Sequence, residues 1–161
     1  MRPLHLAILL PLALATSLPA AAPQPPLKVT AIEARLFYQF SGKLSDDLLK
    51  RAPPFSGWNT VIGEGESGEP ADDLLVQIKI EPLNRADAAD ELYSGQPITL
   101  TATAGGKVVG KRTFTGTLIP ARGAAWKAMY LTDVGCSGDL KIDVVSGKQR
   151  RSAKLTFNCG E

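Results

Sequence analysis

The sequence predicts an all-β chain folded as a two-sheet antiparallel sandwich, and three observations predict it. Apolar and polar residues alternate over several short runs, turn-forming residues separate those runs, and helical periodicity is almost absent. The 161 residues are enough for one core after a leader, so residues 1–22 read as a signal peptide, 23–26 as a flexible linker and 27–161 as a single sandwich domain.

The leader rests on order. Arg2 precedes an apolar run from Leu6 to Leu18, and small residues Ala20, Ala21 and Ala22 follow. That run is too short to cross a bilayer, which takes about 20 residues, and no later segment is apolar enough to span one. An uncleaved anchor is the alternative. No Cys stands at the cut to accept a lipid, and the Ala/Pro segment up to Pro26 cannot bury a core.

The first strand is expected over Thr30 to Phe40, with Ile32, Ala34, Leu36, Tyr38 and Phe40 on one side and Glu33, Arg35 and Gln39 on the other. Leu44 to Arg51 predicts a short helix with Ser45 as N-cap and Asp46 and Asp47 in its first turn. Pro53 to Asp73 lacks periodicity and reads as a long ordered loop, with a short strand at Asn59 to Ile62. Leu74 to Glu81 alternates again and Pro82 closes it. Asn84 to Leu92 is a loop or a single helical turn. Ile98 to Ala104 and Val108 to Phe114 flank Gly105–Gly106 as a hairpin, and Gly116 to Pro120 and Trp126 to Thr132 are two further short strands.

The terminal hairpin is the most fully specified. A two-residue type II′ turn at Gly147–Lys148 opposes Val144 to Arg151, Ile142 to Ala153, Leu140 to Leu155 and Cys136 to Cys159. One face of this hairpin is then apolar, and the other collects Asp139, Lys141 and Asp143 opposite Arg150, Ser152 and Lys154. Export carries the two cysteines to an oxidising compartment, so Cys136 and Cys159 are expected to form one structural disulfide.

About seven strands with one disulfide fit the immunoglobulin-like or fibronectin-like sandwich. The segment Asp133-Val134-Gly135-Cys136 resembles the approach to the second cysteine of immunoglobulin domains. The corner tyrosine is absent, and the bridge would tie neighbouring strands rather than opposite sheets.

Chemistry is limited by what is missing. The one histidine, His5, lies in the leader, which removes histidine general bases, nucleophile pairs that need histidine and the usual zinc ligand sets from the mature chain. No catalytic residue, cofactor or metal is therefore assigned. The acidic loop from Gly63 to Asp73, holding Glu64, Glu66 and Glu69, could supply a carboxylate pair for glycoside hydrolysis or oxygen ligands for Ca²⁺, but a solvated loop is the commoner use of such residues.

Candidate contacts are Phe55 and Trp58 beside Pro53–Pro54, with Glu64, Glu66 and Glu69. An aromatic residue on a sandwich loop grips a partner over a large area, whereas the competing reading buries Trp58 as the anchor of its loop, and Trp126 within a strand is expected in the core. Tyr93 and the turn at Arg122 are secondary.

The formal charge of +2 excludes a global basic surface for nucleic acid, but the basic stretch Lys107 to Lys127 is segregated from the acidic stretch Glu64 to Glu91. Asn59, Asn84 and Asn158 all lack a hydroxyl residue two positions later, and the composition leans bacterial. The expected function is an exported, non-catalytic binding or protein-interaction module of the cell envelope, periplasmic or secreted, whose partner is an envelope protein or a glycan. A small carboxylate-dependent hydrolase of cell-wall or extracellular glycan and a protein inhibitor of an envelope enzyme are the alternatives.

Overall fold

A computed structural model describes residues 26–58, 69–71, 73–83, 91–134 and 138–158. The described residues form ten strands: β1 (Leu27–Phe37), β2 (Ser56–Trp58), β3 (Asp73–Pro82), β4 (Leu92–Ser94), β5 (Ile98–Ala104), β6 (Lys107–Phe114), β7 (Thr117–Ile119), β8 (Ala125–Leu131), β9 (Leu140–Ser146) and β10 (Gln149–Asn158). They form a three-stranded sheet in the order β1-β3-β8, a five-stranded sheet in the order β2-β10-β9-β5-β6, and a small β4-β7 ribbon. All pairings are antiparallel except that of β2 with β10.

Seven of these strands carry the fold. In immunoglobulin lettering β1, β3 and β8 are A, B and E, and β5, β6, β9 and β10 are C, C′, F and G. The chain is thus an immunoglobulin-like antiparallel sandwich. Alternation builds its core: Leu74, Val76, Ile78 and Ile80 of β3 face Leu100 and Ala102 of β5 and Leu140, Ile142 and Val144 of β9, all essentially sealed from water.

The hairpins follow their turn residues. Gly105 and Gly106 both have positive φ, 54° and 77°, as a type I′ turn requires between β5 and β6. Gly147 alone is positive, at 56°, in the β9–β10 turn, which is the type II′ pattern, and Val144↔Arg151, Ile142↔Ala153 and Leu140↔Leu155 pair in the expected register. The pairing continues as far as Phe157 N–H donating to the Gly138 carbonyl at 3.4 Å. Cys136 and Cys159 lie outside the described residues.

Two expected elements differ. The first strand starts and ends earlier than Thr30 to Phe40, because a bulge between Val29 and Ala31 reverses the alternation and turns Leu27 and Val29 inward along with Ala34 and Leu36. The chain then reverses at Tyr38 to Lys43, leaving Phe40 80% exposed where an inward residue was expected.

The helix expected over Leu44 to Arg51 is only a 3₁₀ turn at Leu48–Lys50, capped by Asp47 and not by Ser45. Ser45 is occupied elsewhere: its hydroxyl accepts from Leu36 N–H at 2.9 Å and its N–H donates to the Leu36 carbonyl at 3.0 Å. The segment before the turn is thereby drawn out along β1. The strand expected at Asn59 to Ile62 lies outside the described residues; the chain just before it forms β2.

Side chains close the free edge of β1. The Gln96 amide accepts from Leu27 N–H at 3.1 Å, and the Gln149 amide both accepts from Val29 N–H at 2.8 Å and donates to the Val29 carbonyl at 3.0 Å. Asp47 accepts from Ala34 N–H at 3.0 Å. An edge that would otherwise invite another strand is thus filled from within the molecule.

Candidate functional site

The expected contact residues scatter. Phe55 is 5% exposed and packs edge-to-face on Phe157 with centroids 5.9 Å apart, under the Arg51 guanidinium, so it is a core residue with no surface to offer a partner. Its strand neighbour β2 is held against β10, which draws this loop into the sandwich. Trp58 ends β2, with its backbone opposite Asn158.

Glu69 accepts a hydrogen bond from Ser41 N–H at 3.0 Å and so ties down the turn that carries Phe40. Glu64 and Glu66 lie outside the described residues, as does most of the acidic loop. Among the described residues no group of three or more His, Cys, Asp or Glu is placed to hold a metal ion, and no helix is long and apolar enough to cross a membrane.

The basic stretch divides between two strands. Arg112 of β6 and Lys127 of β8 both sit over the Phe114 ring, 4.9 Å and 5.7 Å from its centroid, and the Arg112 guanidinium donates to the Ala128 carbonyl at 2.8 Å. These cations close the seam where the two sheets meet. Gly110 lies against Leu131 and Met129 at the same seam, where a β-carbon would find no room. Tyr93 is exposed on the β4-β7 ribbon with its ring over Gly116.

The outer face of β1-β3-β8 gathers aromatic residues instead. Successive side chains of a strand point to opposite faces, so Met129 and Leu131 of β8 enter the core while Trp126, Ala128 and Tyr130 face out. Trp126 is 45% exposed and Tyr130 48% exposed. Trp126 had been expected in the core, and its outward position is a correction. Lys127 shares the inward parity with Met129, and because β8 lies at a sheet edge its ammonium can escape past Phe114; the charge at that parity conceals the pattern in the sequence.

The Tyr130 ring is held by its neighbours. Phe37 meets Tyr130 edge-to-face with centroids 6.3 Å apart, and the Tyr130 hydroxyl donates to the Asp73 carboxylate. That bond, with the repulsion a phenolate would feel beside Asp73, pushes the Tyr130 hydroxyl up to about 12. Trp126 walls a groove of about 360 Å³ that also involves Lys28, Lys79, Glu81, Pro82 and Leu83. Between the two rings Ala128 pairs with Gln77 of β3, whose side-chain amide has no hydrogen-bond partner among the described residues.

Charges along β1 and β3 are paired, whereas Arg112 and Lys127 at the edge of β8 have no carboxylate partner among the described residues. Lys79 and Lys28 approach Glu81 at 3.1 Å and 4.0 Å, Arg35 and Lys50 approach Glu33 at 3.0 Å and 2.7 Å, and Lys50 also reaches Asp47 at 3.2 Å. Hydrogen bonds from Lys50 and Arg35 hold the Glu33 carboxyl below the usual carboxylate range. The face therefore presents aromatic surface and one open amide beside the paired charges of β1 and β3.

Set against known proteins, the chain is matched by no protein-family model, and no curated protein is significantly similar to it. Among solved structures it is similar to an immunoglobulin-like protein from Pseudomonas aeruginosa, with 11% identity and a TM-score of 0.44 over 84% of this chain and 98% of that one. At that distance the fold rests on the strand order itself, and that order makes the chain an immunoglobulin-like sandwich.

Proposed function

We propose that this chain is an exported, non-catalytic binding module of the bacterial cell envelope, and that it engages its ligand through the outer face of β1-β3-β8. One observation carries this: Trp126 and Tyr130 stand half-exposed on the same side of one strand, and Tyr130 is fixed there by Phe37 and Asp73. Rigid aromatic side chains give a large contact area for little loss of entropy, which is why they anchor binding surfaces. The leader-like segment up to Ala22 supports export, and export supports the pairing of Cys136 with Cys159.

Fractionation of cells producing the tagged protein tests export, and washing of isolated envelopes tests the face. The expected product lies in the envelope or medium with its N-terminus within Ala20 to Pro23. Wild-type protein stays on washed envelopes, while the Trp126→Ala/Tyr130→Ala double variant is released. Full-length protein confined to the cytoplasm overturns export, and equal retention of both proteins overturns the assignment of the face.

A further inference from the structure

We infer that the ligand of this face is a neutral glycan chain that lies along β8, with sugar rings stacked on Trp126 and Tyr130 and the stretch between them hydrogen-bonded by Gln77. The inference rests on the binding function proposed above and names the chemistry of its ligand. Three features of the face carry it.

The first is spacing. Trp126 and Tyr130 are four residues apart on one side of an extended strand, which separates them by about 13 Å at roughly 3.3 Å per residue. The residue that faces out between them is Ala128, whose methyl group cannot obstruct a chain passing from one ring to the other. A ligand that uses both rings must itself be extended and must repeat the same kind of flat surface. A polysaccharide does so, because each pyranose ring presents C–H groups that suit the electron-rich face of an aromatic ring.

The second is charge. Lys28, Lys79, Arg35 and Lys50 on or beside the face are matched by Glu81, Glu33 and Asp47, and Asp73 takes the Tyr130 hydroxyl. An acidic or basic partner would find these charges already compensated, and to use them it would have to break existing ion pairs. An uncharged ligand loses nothing by the arrangement.

The third is Gln77. Its amide can both donate and accept, it is opposite Ala128 in the register, and it has no side-chain hydrogen-bond partner among the described residues. Sugar hydroxyls donate and accept in the same way. Two stacking surfaces with a two-way hydrogen-bonding group between them complement a chain of neutral sugars.

Affinity electrophoresis tests this with the purified protein in gels that contain one polysaccharide at a time: a soluble β-glucan, a galactomannan, an arabinoxylan, glycol chitin and, as a charged control, dextran sulfate. At least one neutral polysaccharide is expected to retard the wild type. Trp126→Ala and Tyr130→Ala should each weaken that retardation at least tenfold and Gln77→Ala several-fold, while all three variants still melt cooperatively, Tyr130→Ala at a lower temperature because it loses the Phe37 and Asp73 contacts. No retardation by any neutral polysaccharide overturns the inference, as does retardation that Trp126→Ala leaves intact or that only dextran sulfate produces. If the envelopes still retain the wild type and release the double variant while every neutral polysaccharide fails, the glycan is overturned and the binding face stands. Photo-crosslinking from position 128 to an envelope protein would then identify a protein ligand in its place.

Discussion

Tyr130 shows how one side chain on this face is prepared. A free phenol ionises near 10, but here the hydroxyl donates to Asp73 and its ionisation is pushed up to about 12. The sign follows from the direction: the contact favours the protonated folded state, contributes in full below the ordinary phenol value, and is lost as the pH rises from there towards 12. Spectrophotometric titration of the three tyrosines should therefore show a late step that Tyr130→Phe removes. Asp73→Asn should bring that step down towards the ordinary value; a titration unchanged by Asp73→Asn would mean that the contact does not hold the ring. Glu33 obeys the opposite sign. Lys50 and Arg35 depress its carboxyl, so its contribution is present above the ordinary carboxylate range and disappears as the pH falls through the folded-state value.

Between elements, the stability of β1 depends on groups from the opposite sheet. Gln149 extends the ladder of β1 by acting as a peptide group, with one acceptor and one donor on the two backbone groups of Val29. Gln149→Ala leaves both of these groups without a partner at a partly buried position, at a cost of about 1–3 kcal/mol. The expected outcome is a lower urea midpoint with an unchanged slope. A midpoint equal to that of the wild type would mean that water replaces the amide freely. The β9–β10 hairpin was legible down to register because Gly147–Lys148 determines its own turn, and the β5–β6 hairpin was legible as a hairpin from Gly105–Gly106, though not the register shift between Ala102 and Thr103. β1 was misplaced because a bulge leaves no mark on composition, and the 44–51 helix was overestimated because Ser45 is claimed by a strand distant from its own turn. The aromatic face was missed for a related reason. Trp126 and Tyr130 alternate with Met129 and Leu131, so both faces of β8 are apolar, and only the partner strand decides which face is buried.

For the molecule as a whole, the last strand carries an unusual share of the closure. β10 pairs with β9 on one side and with β2 on the other, places Phe157 against Phe55 in the core, and sends Gln149 and Arg151 across to β1. Whatever secures the end of β10 therefore secures both sheets. The described pairing of this hairpin ends at Gly138 and Phe157, each two residues along the sequence from a cysteine, Cys136 and Cys159. A disulfide between them would close the hairpin loop and restrain the unfolded chain by about 3 kcal/mol in the chain-entropy treatment. For a domain of this size that corresponds to a fall in Tm of about 10 °C on reduction. The Cys136→Ser/Cys159→Ser double variant should melt with the reduced wild type, because both lose the same restraint and neither loses a group from the described core. The β10 contacts remain in both, so the reduced protein should still fold cooperatively and still present Trp126 on β8, a strand of the opposite sheet. Coincident melting of the oxidised and reduced wild type would show that the hairpin closes the sandwich without a covalent tie.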